Sequence, residues 1–125
     1  MTTVGDVMMK DLLTTDAATP LQVAAERMCD RGIGAILVLS GETISGILTE
    51  RDVLRAVAMG GVEGTSVAAW MTRDPETVAP DEPTGSAAST MVRRGFRHLP
   101  VVDGTRPVGI VSIRDLLRVA TDDES

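Results

Sequence analysis

The 125 residues are enough for one ordinary domain, and an apolar content of 43% can supply a hydrophobic core without disulfides. A formal charge of −6, with no basic cluster longer than Arg93-Arg94, argues against nucleic acid as a partner. One cysteine excludes an internal disulfide, and with a single histidine it excludes most zinc-site patterns. No signal peptide is recognisable, and no apolar run approaches the roughly 20 residues that span a bilayer, so we expect a cytoplasmic protein without a membrane partner.

The sequence contains one unit twice. Adding 63 to each residue number from Val4 onward aligns the second copy with the first without a gap. The offset predicts two units, residues 1–62 and 63–125, joined by a flexible segment that contains Gly60, Gly61 and Gly64.

The first copy predicts helices and strands in alternation. They are a short helix at 4–8, a strand at 12–15, a helix from 20 to 31, strands at 35–39 and 44–48, and a helix from 50 to about 59. Helical spacing predicts that the two longer helices bury Leu21, Ala24, Ala25, Met28 and Cys29, and Val53, Leu54, Val57 and Ala58, respectively.

The second copy predicts the same elements in the same order. They are a helix at 67–71, a strand at 77–79, a helix at 83–94, strands at 98–102 and 107–111, and a helix from 113 to about 120. Each unit alone would leave an apolar face open to water, so we expect the two to pack together.

One segment organises both copies. Residues 46–55 read G-I-L-T-E-R-D-V-L-R, and residues 109–118 read G-I-V-S-I-R-D-L-L-R. An apolar run behind a glycine, followed by a hydroxyl residue and helical spacing, predicts a strand that runs directly into a helix. Thr49 and Ser112 would then be the N-cap residues of those helices.

Asp52 and Asp115 follow the hydroxyl residues by three positions. The amides of a helix N-terminus can bind a phosphate, and a nearby carboxylate can hold vicinal hydroxyls, so the segment suggests nucleotide binding. The alternative is a capping box, in which the hydroxyl and the acid serve only the helix.

The tandem unit resembles a pair of CBS domains, the modules named after cystathionine beta-synthase. The resemblance rests on V-G-D-V-M at 4–8, on L-P-V-V-D-G at 99–104 and on the repeated glycine, hydroxyl and acid segment. It implies an α/β (α+β) fold of two tandem CBS units, each a small three-stranded sheet packed with two helices and related by pseudo-two-fold symmetry. It also implies a regulatory module that binds adenosine-type ligands in clefts between the units.

The resemblance implies roles for particular residues. The hydroxyls of Thr49 and Ser112 would contact phosphate, and Asp52 and Asp115 would contact ribose. Basic residues before the second strand often meet phosphate in this family. At those places the second copy has Arg97 and His98, which would contact phosphate, whereas the first copy has Gly34 and Ala35. The residues that the resemblance assigns to adenine are Thr15, Val78, Ile33 and Phe96.

The expected function is therefore that of a stand-alone regulatory ligand sensor without an obligatory cofactor. Its ligand would be AMP, ADP, ATP, S-adenosylmethionine or NAD, with Mg²⁺ as an accompanying ion, and it would signal through an effector protein. The family and the short apolar helices at 4–8 and 67–71 suggest a homodimer, a disc of four CBS domains. The alternative is a ligand-free dimerisation or docking module. An enzyme is disfavoured, because one histidine and one cysteine leave few candidate catalysts.

Overall fold

The computed structural model describes the backbone of residues 1–124 and the side chains of residues 1–119. The elements are α1 (Val4–Val7), β1 (Thr14–Thr15), α2 (Leu21–Arg31), β2 (Ala35–Ser40), β3 (Thr43–Thr49), α3 (Glu50–Ala58), a 3₁₀ helix (Val67–Ala69), β4 (Thr72–Arg73), α4 (Thr84–Arg94), β5 (His98–Asp103), β6 (Arg106–Ser112) and α5 (Ile113–Glu124). The mixed α/β class is confirmed. The last helix extends beyond its predicted end.

The chain forms two compact units, and each combines residues from both sequence repeats. The central unit is Leu13–Pro75, and the terminal unit joins Met1–Leu12 to the residues from Glu76 onward. Within the terminal unit, the amide of Val4 donates to the carbonyl of Glu82 over 2.9 Å, and the amide of Gly5 donates to that of Pro80 over 2.8 Å. The boundary predicted from the repeat, between residues 62 and 63, therefore differs from the boundaries of the compact units.

The central unit contains a sheet of four strands in the order β1-β2-β3-β4. β1 runs parallel to β2, while β2 with β3 and β3 with β4 are antiparallel. Three strands had been predicted; the fourth, β4, comes from the segment after the 3₁₀ helix. The buried core consists of Leu21, Ala24, Met28, Ile36, Val38, Leu48, Ala56 and Val67.

The terminal unit repeats this plan in reduced form. β5 and β6 form an antiparallel pair. The outer strands are single bridges: Val78 pairs parallel with Val101, and Met9 pairs antiparallel with Ile110. The strand predicted at 77–79 is therefore one bridging residue. The buried core consists of Val4, Val78, Ala87, Met91, Leu99, Val101, Val111 and Leu116.

The glycine of the repeated segment is required because another part of the chain passes over it. A Cβ atom on Gly46 would lie 2.7 Å from Met71 Sδ and 2.9 Å from the carbonyl oxygen of Thr72. Gly109 is covered in the same way by Met8 and by the carbonyl of Met9. Since one obstacle in each case is backbone, it cannot rotate away.

We expect Gly46→Ala to destabilise the protein by about 1–3 kcal/mol, because the added methyl group overpacks a closed contact. Gly85→Ala is the matched control: Gly85 is an exposed residue of α4 and a Cβ there meets nothing within 4 Å. That change should stabilise by about 0.5 kcal/mol through reduced freedom of the unfolded chain. Urea unfolding followed by circular dichroism measures both, and equal effects would contradict the expectation.

The glycine-rich segment between the repeats is folded against the central unit, contrary to its prediction as a flexible joint. Gly61 lies against the ring of Trp70. The indole Nε1 donates to Thr65 Oγ1 over 3.2 Å, and that hydroxyl donates to the carbonyl of Gly61. The missing side chain of Gly61 thus makes room for the ring.

The predicted buried face of α3 is wrong for Leu54, Val57 and Ala58, while Val53 packs against the central core. Leu54 and Val57 are 68% and 60% exposed, whereas Asp52 and Ala56 are buried and Val53 is half-buried. The helix packs through the face defined by positions 52 and 56, which includes a carboxylate that the apolar pattern could not select.

The predicted burial of Cys29 is also wrong. Its side chain is exposed, although Leu21, Ala24 and Met28 on the same helix are buried as predicted. Cys29 lies at the border of the apolar stripe of α2, where spacing alone does not determine burial.

Candidate functional site

In the central unit, the repeated segment forms a closed capping box. Thr49 ends β3 and is the N-cap of α3, and its Oγ1 accepts a hydrogen bond from the Asp52 amide over 3.4 Å. In return, Asp52 Oδ2 accepts from the amide of Thr49 over 3.0 Å and from its hydroxyl over 3.1 Å. The capping box considered in the sequence analysis is therefore present here, while the ligand contacts of Thr49 and Asp52 stay predictions.

Arg55 holds the other oxygen of this carboxylate. Its Nη1 lies 3.6 Å from Asp52 Oδ1, and its Cζ lies 6.0 Å from the centre of the Trp70 ring. The Asp52 side chain is only 8% exposed. The carboxylate is thus surrounded by partners from its own unit.

The same segment is more open in the terminal unit. Ser112 ends β6, and its hydroxyl accepts a hydrogen bond from the amide of Asp115 over 3.2 Å. Arg118 Nη2 lies 3.3 Å from Asp115 Oδ1, and the Asp115 side chain is 29% exposed. The carboxylate therefore faces solvent in part.

The two predicted basic residues lie beside this segment. His98 is paired with Ser112 across β5 and β6, and the carbonyl of Arg97 accepts from the amide of Ile113 over 2.8 Å. Arg97 is exposed, and His98 is half-buried with a buried Nδ1. The fold thus brings Arg97, His98, Ser112 and Asp115 together at the start of α5.

The central unit has the same backbone arrangement without the basic side chains. The carbonyl of Gly34 accepts from the amide of Glu50 over 2.9 Å, and Ala35 pairs with Thr49. The two segments thus have the same backbone scaffold but different local charge.

The residues predicted to hold adenine lie farther along the sheets. Thr15 pairs with Val38 of β2, three residues after Ala35, which pairs with Thr49. The Thr15 hydroxyl donates to Thr19 Oγ1 over 2.7 Å. Val78 is buried, and its amide and carbonyl both bond to β5.

Ile33 and Phe96 follow the glycines that end α2 and α4. Their amides donate to the carbonyls of Met28 and Met91, each over 3.0 Å. Phe96 packs against the terminal core, and its ring centre lies 5.9 Å from the Cζ of Arg94. The adenine-binding roles of Thr15, Val78, Ile33 and Phe96 stay predictions.

The sequence reasoning missed the arginines that pair with the two acids. Arg55 and Arg118, three positions after each acid, make the contacts. Their recurrence at the repeat offset was the available signal.

Within residues 1–124, no helix is long and apolar enough to cross a bilayer. No group of three or more His, Cys, Asp and Glu side chains among the described residues could hold a metal ion.

The CBS domain family model matches residues 4–59 and 67–122. An uncharacterized 17.7 kDa protein from Acidianus ambivalens is 36% identical over 101 residues, which are 79% of this chain and 61% of that protein. The chain thus spans less than two thirds of the length of this relative.

Two solved structures have the same fold along almost their whole length. A putative signal-transduction protein with CBS domains from Burkholderia ambifaria is 32% identical, with a TM-score of 0.91 over 99% of this chain and 97% of that one. The CBS domain pair of protein MJ0100, solved in complex with 5′-methylthioadenosine and S-adenosyl-L-methionine, is 27% identical, with a TM-score of 0.91 over 98% of both chains.

Proposed function

Because the chain belongs to the CBS domain family, we propose that it is a regulatory module that binds adenosine-type ligands and signals through a partner protein. The ligand complex of the MJ0100 domain pair supports this ligand class. AMP, ADP, ATP, S-adenosylmethionine and NAD share the adenosine part that such a site would hold. The proposal assigns no catalytic step to the chain.

One observation supports the proposal: Arg97, the Ser112 hydroxyl and the Asp115 carboxylate all belong to residues at the start of α5. Arg97 and the Ser112 hydroxyl would bind phosphate together with amides of the first helical turn, where the helix dipole favours an anion. Asp115 would accept hydrogen bonds from the two ribose hydroxyls. Because the whole chain carries a formal charge of −6, such local donors are needed to hold an anionic ligand.

Isothermal titration calorimetry and thermal unfolding with AMP, ADP, ATP, NAD, S-adenosylmethionine and 5′-methylthioadenosine test the proposal. A ligand at 100 times its Kd should stabilise the folded chain by about 2.7 kcal/mol. Cytidine monophosphate is the control for the base, and ATP is titrated with and without Mg²⁺. Absence of heat and of a thermal shift for every adenosine ligand would reject the proposal.

A second candidate function is self-association, which the exposed apolar residues of α3 favour. Leu54, Val57 and Met59 are 60–70% exposed, and Leu117, the repeat equivalent of Leu54, is 51% exposed. The short helices at 4–8 and 67–71 expose less apolar surface: Val4 and Val67 are fully buried, and Met8 and Met71 pack against the two cores. We therefore propose a homodimer through the Leu54 face of α3.

We expect Leu54→Glu to weaken this dimer at least tenfold, because each copy would place a charge into an apolar contact. Thr43→Glu, at the exposed first residue of β3, adds the same charge as a control. Sedimentation equilibrium measures the dissociation constant. A wild-type chain that stays monomeric at high concentration, or a dimer unaffected by Leu54→Glu, would contradict the proposed interface.

A further inference from the structure

The two repeated segments differ in what they can still offer a ligand. In the central unit, the Thr49 hydroxyl donates to Asp52 Oδ2 over 3.1 Å, and the same oxygen accepts the amide of Thr49. Asp52 Oδ1 lies 3.6 Å from Arg55 Nη1. The hydroxyl proton and both carboxylate oxygens are therefore already engaged, in a side chain that is 8% exposed.

In the terminal unit these groups remain available. The Ser112 hydroxyl only accepts, from the amide of Asp115, and Asp115 contacts Arg118 through Oδ1. Among the hydrogen bonds of the described residues, none uses the hydroxyl proton of Ser112 or Oδ2 of Asp115. This segment can therefore donate to a phosphate and accept from a ribose without breaking a bond of its own.

An aromatic ring further distinguishes the central unit. The guanidinium of Arg55 lies over Trp70, at 6.0 Å from the ring centre, and the indole is fixed by its hydrogen bond to Thr65. The residue that matches Trp70 at the repeat offset is Val7 of α1, which has no π face to offer Arg118. Trp70 therefore supports the contact of Arg55 with Asp52 in one unit only.

Local charge also favours ligand binding at the Ser112 segment over the Thr49 segment. Arg97 and His98 lie beside the Ser112 segment, and Gly34 and Ala35 take their places beside Thr49. A phosphate at the central segment would therefore have no basic side chain at these positions.

From these differences we infer that the chain binds one nucleotide, at the Ser112 and Asp115 segment. Asp52 is a structural residue that closes the N-terminus of α3, with Arg55 and Trp70 holding it in place. The inference rests on the proposed function, and it goes beyond it because two equivalent segments would otherwise give two sites.

Calorimetry with the tightest-binding ligand of the panel tests the inference on the wild type, Asp52→Asn and Asp115→Asn. We expect one ligand per chain for the wild type. Asp115→Asn should raise the Kd at least tenfold, whereas Asp52→Asn should leave it within about twofold and lower the Tm. Arg55→Ala changes an exposed side chain and should also leave the Kd within about twofold, which serves if Asp52→Asn does not fold.

Two ligands per wild-type chain, or a loss of affinity in Asp52→Asn or Arg55→Ala as large as that in Asp115→Asn, would overturn the inference while leaving the proposed function intact. A wild-type chain that binds none of the adenosine ligands would reject the proposed function, and the inference would fall with it.

Discussion

Arg97→Ala is expected to weaken the binding of AMP by about 10- to 100-fold and to leave the binding of adenosine unchanged. A hydrogen bond to a charged group contributes about 1.5–3 kcal/mol, and adenosine lacks the phosphate that would accept it. The Arg97 side chain is exposed. The backbone carbonyl of Arg97 accepts a hydrogen bond from the amide of Ile113. Alanine keeps that carbonyl, so the fold should be unaffected.

Calorimetry of AMP and adenosine on the same preparations separates the contribution of the phosphate from that of the nucleoside. Arg93→Ala removes an equal charge from an exposed position of α4 and serves as the control. The difference between wild type and Arg97→Ala should shrink as NaCl is added, because salt screens exposed charges. Equal losses for AMP and adenosine, or an equal loss in Arg93→Ala, would show that Arg97 does not contact phosphate.

Leu116→Ala is expected to lower the free energy of unfolding by about 3–5 kcal/mol, because it leaves a cavity in the terminal core. Leu116 is fully buried among residues from α1, α4 and both long strands of that unit. A loss of this size is a large part of the stability of an ordinary domain.

Leu117→Ala is the matched control, since the neighbouring side chain is 51% exposed. It should change the free energy of unfolding by less than about 1 kcal/mol. Urea denaturation measures both variants, and a common slope shows that only stability differs. Equal effects would mean that α5 packs through a different face.

The strands and helix ends were predictable because they depend on local chemistry. Apolar runs before Thr49 and Ser112 mark β3 and β6, and Gly32 and Gly95 end α2 and α4 at φ angles of 62° and 75°. The pairing of His98 with Ser112 follows from the hairpin register, which the spacing of the two strands sets. These features need no knowledge of distant contacts.

Features that depend on distant contacts were not predictable. The apolar spacing of α3 allows more than one buried face, and packing within the central unit buries the face of Ala56 and Asp52. Trp70 approaches Arg55 only because the segment between the repeats folds back. For this reason the sequence could show that the two copies differ in basic residues, but could not indicate that Asp52 lies in a closed capping box while Asp115 is more open.

Residues 1–12 belong to the same compact unit as most of the second repeat, and residues 63–75 belong to the same unit as most of the first. We therefore expect neither repeat to be soluble alone. Residues 1–62 produced alone would keep α1, which packs on residues from Glu76 onward, and would lack β4, which covers β3 at Gly46 and Ile47. The fragment would present a bare strand edge and an apolar helix, a combination that promotes aggregation. We therefore expect only a chain that contains both repeats to stay in solution.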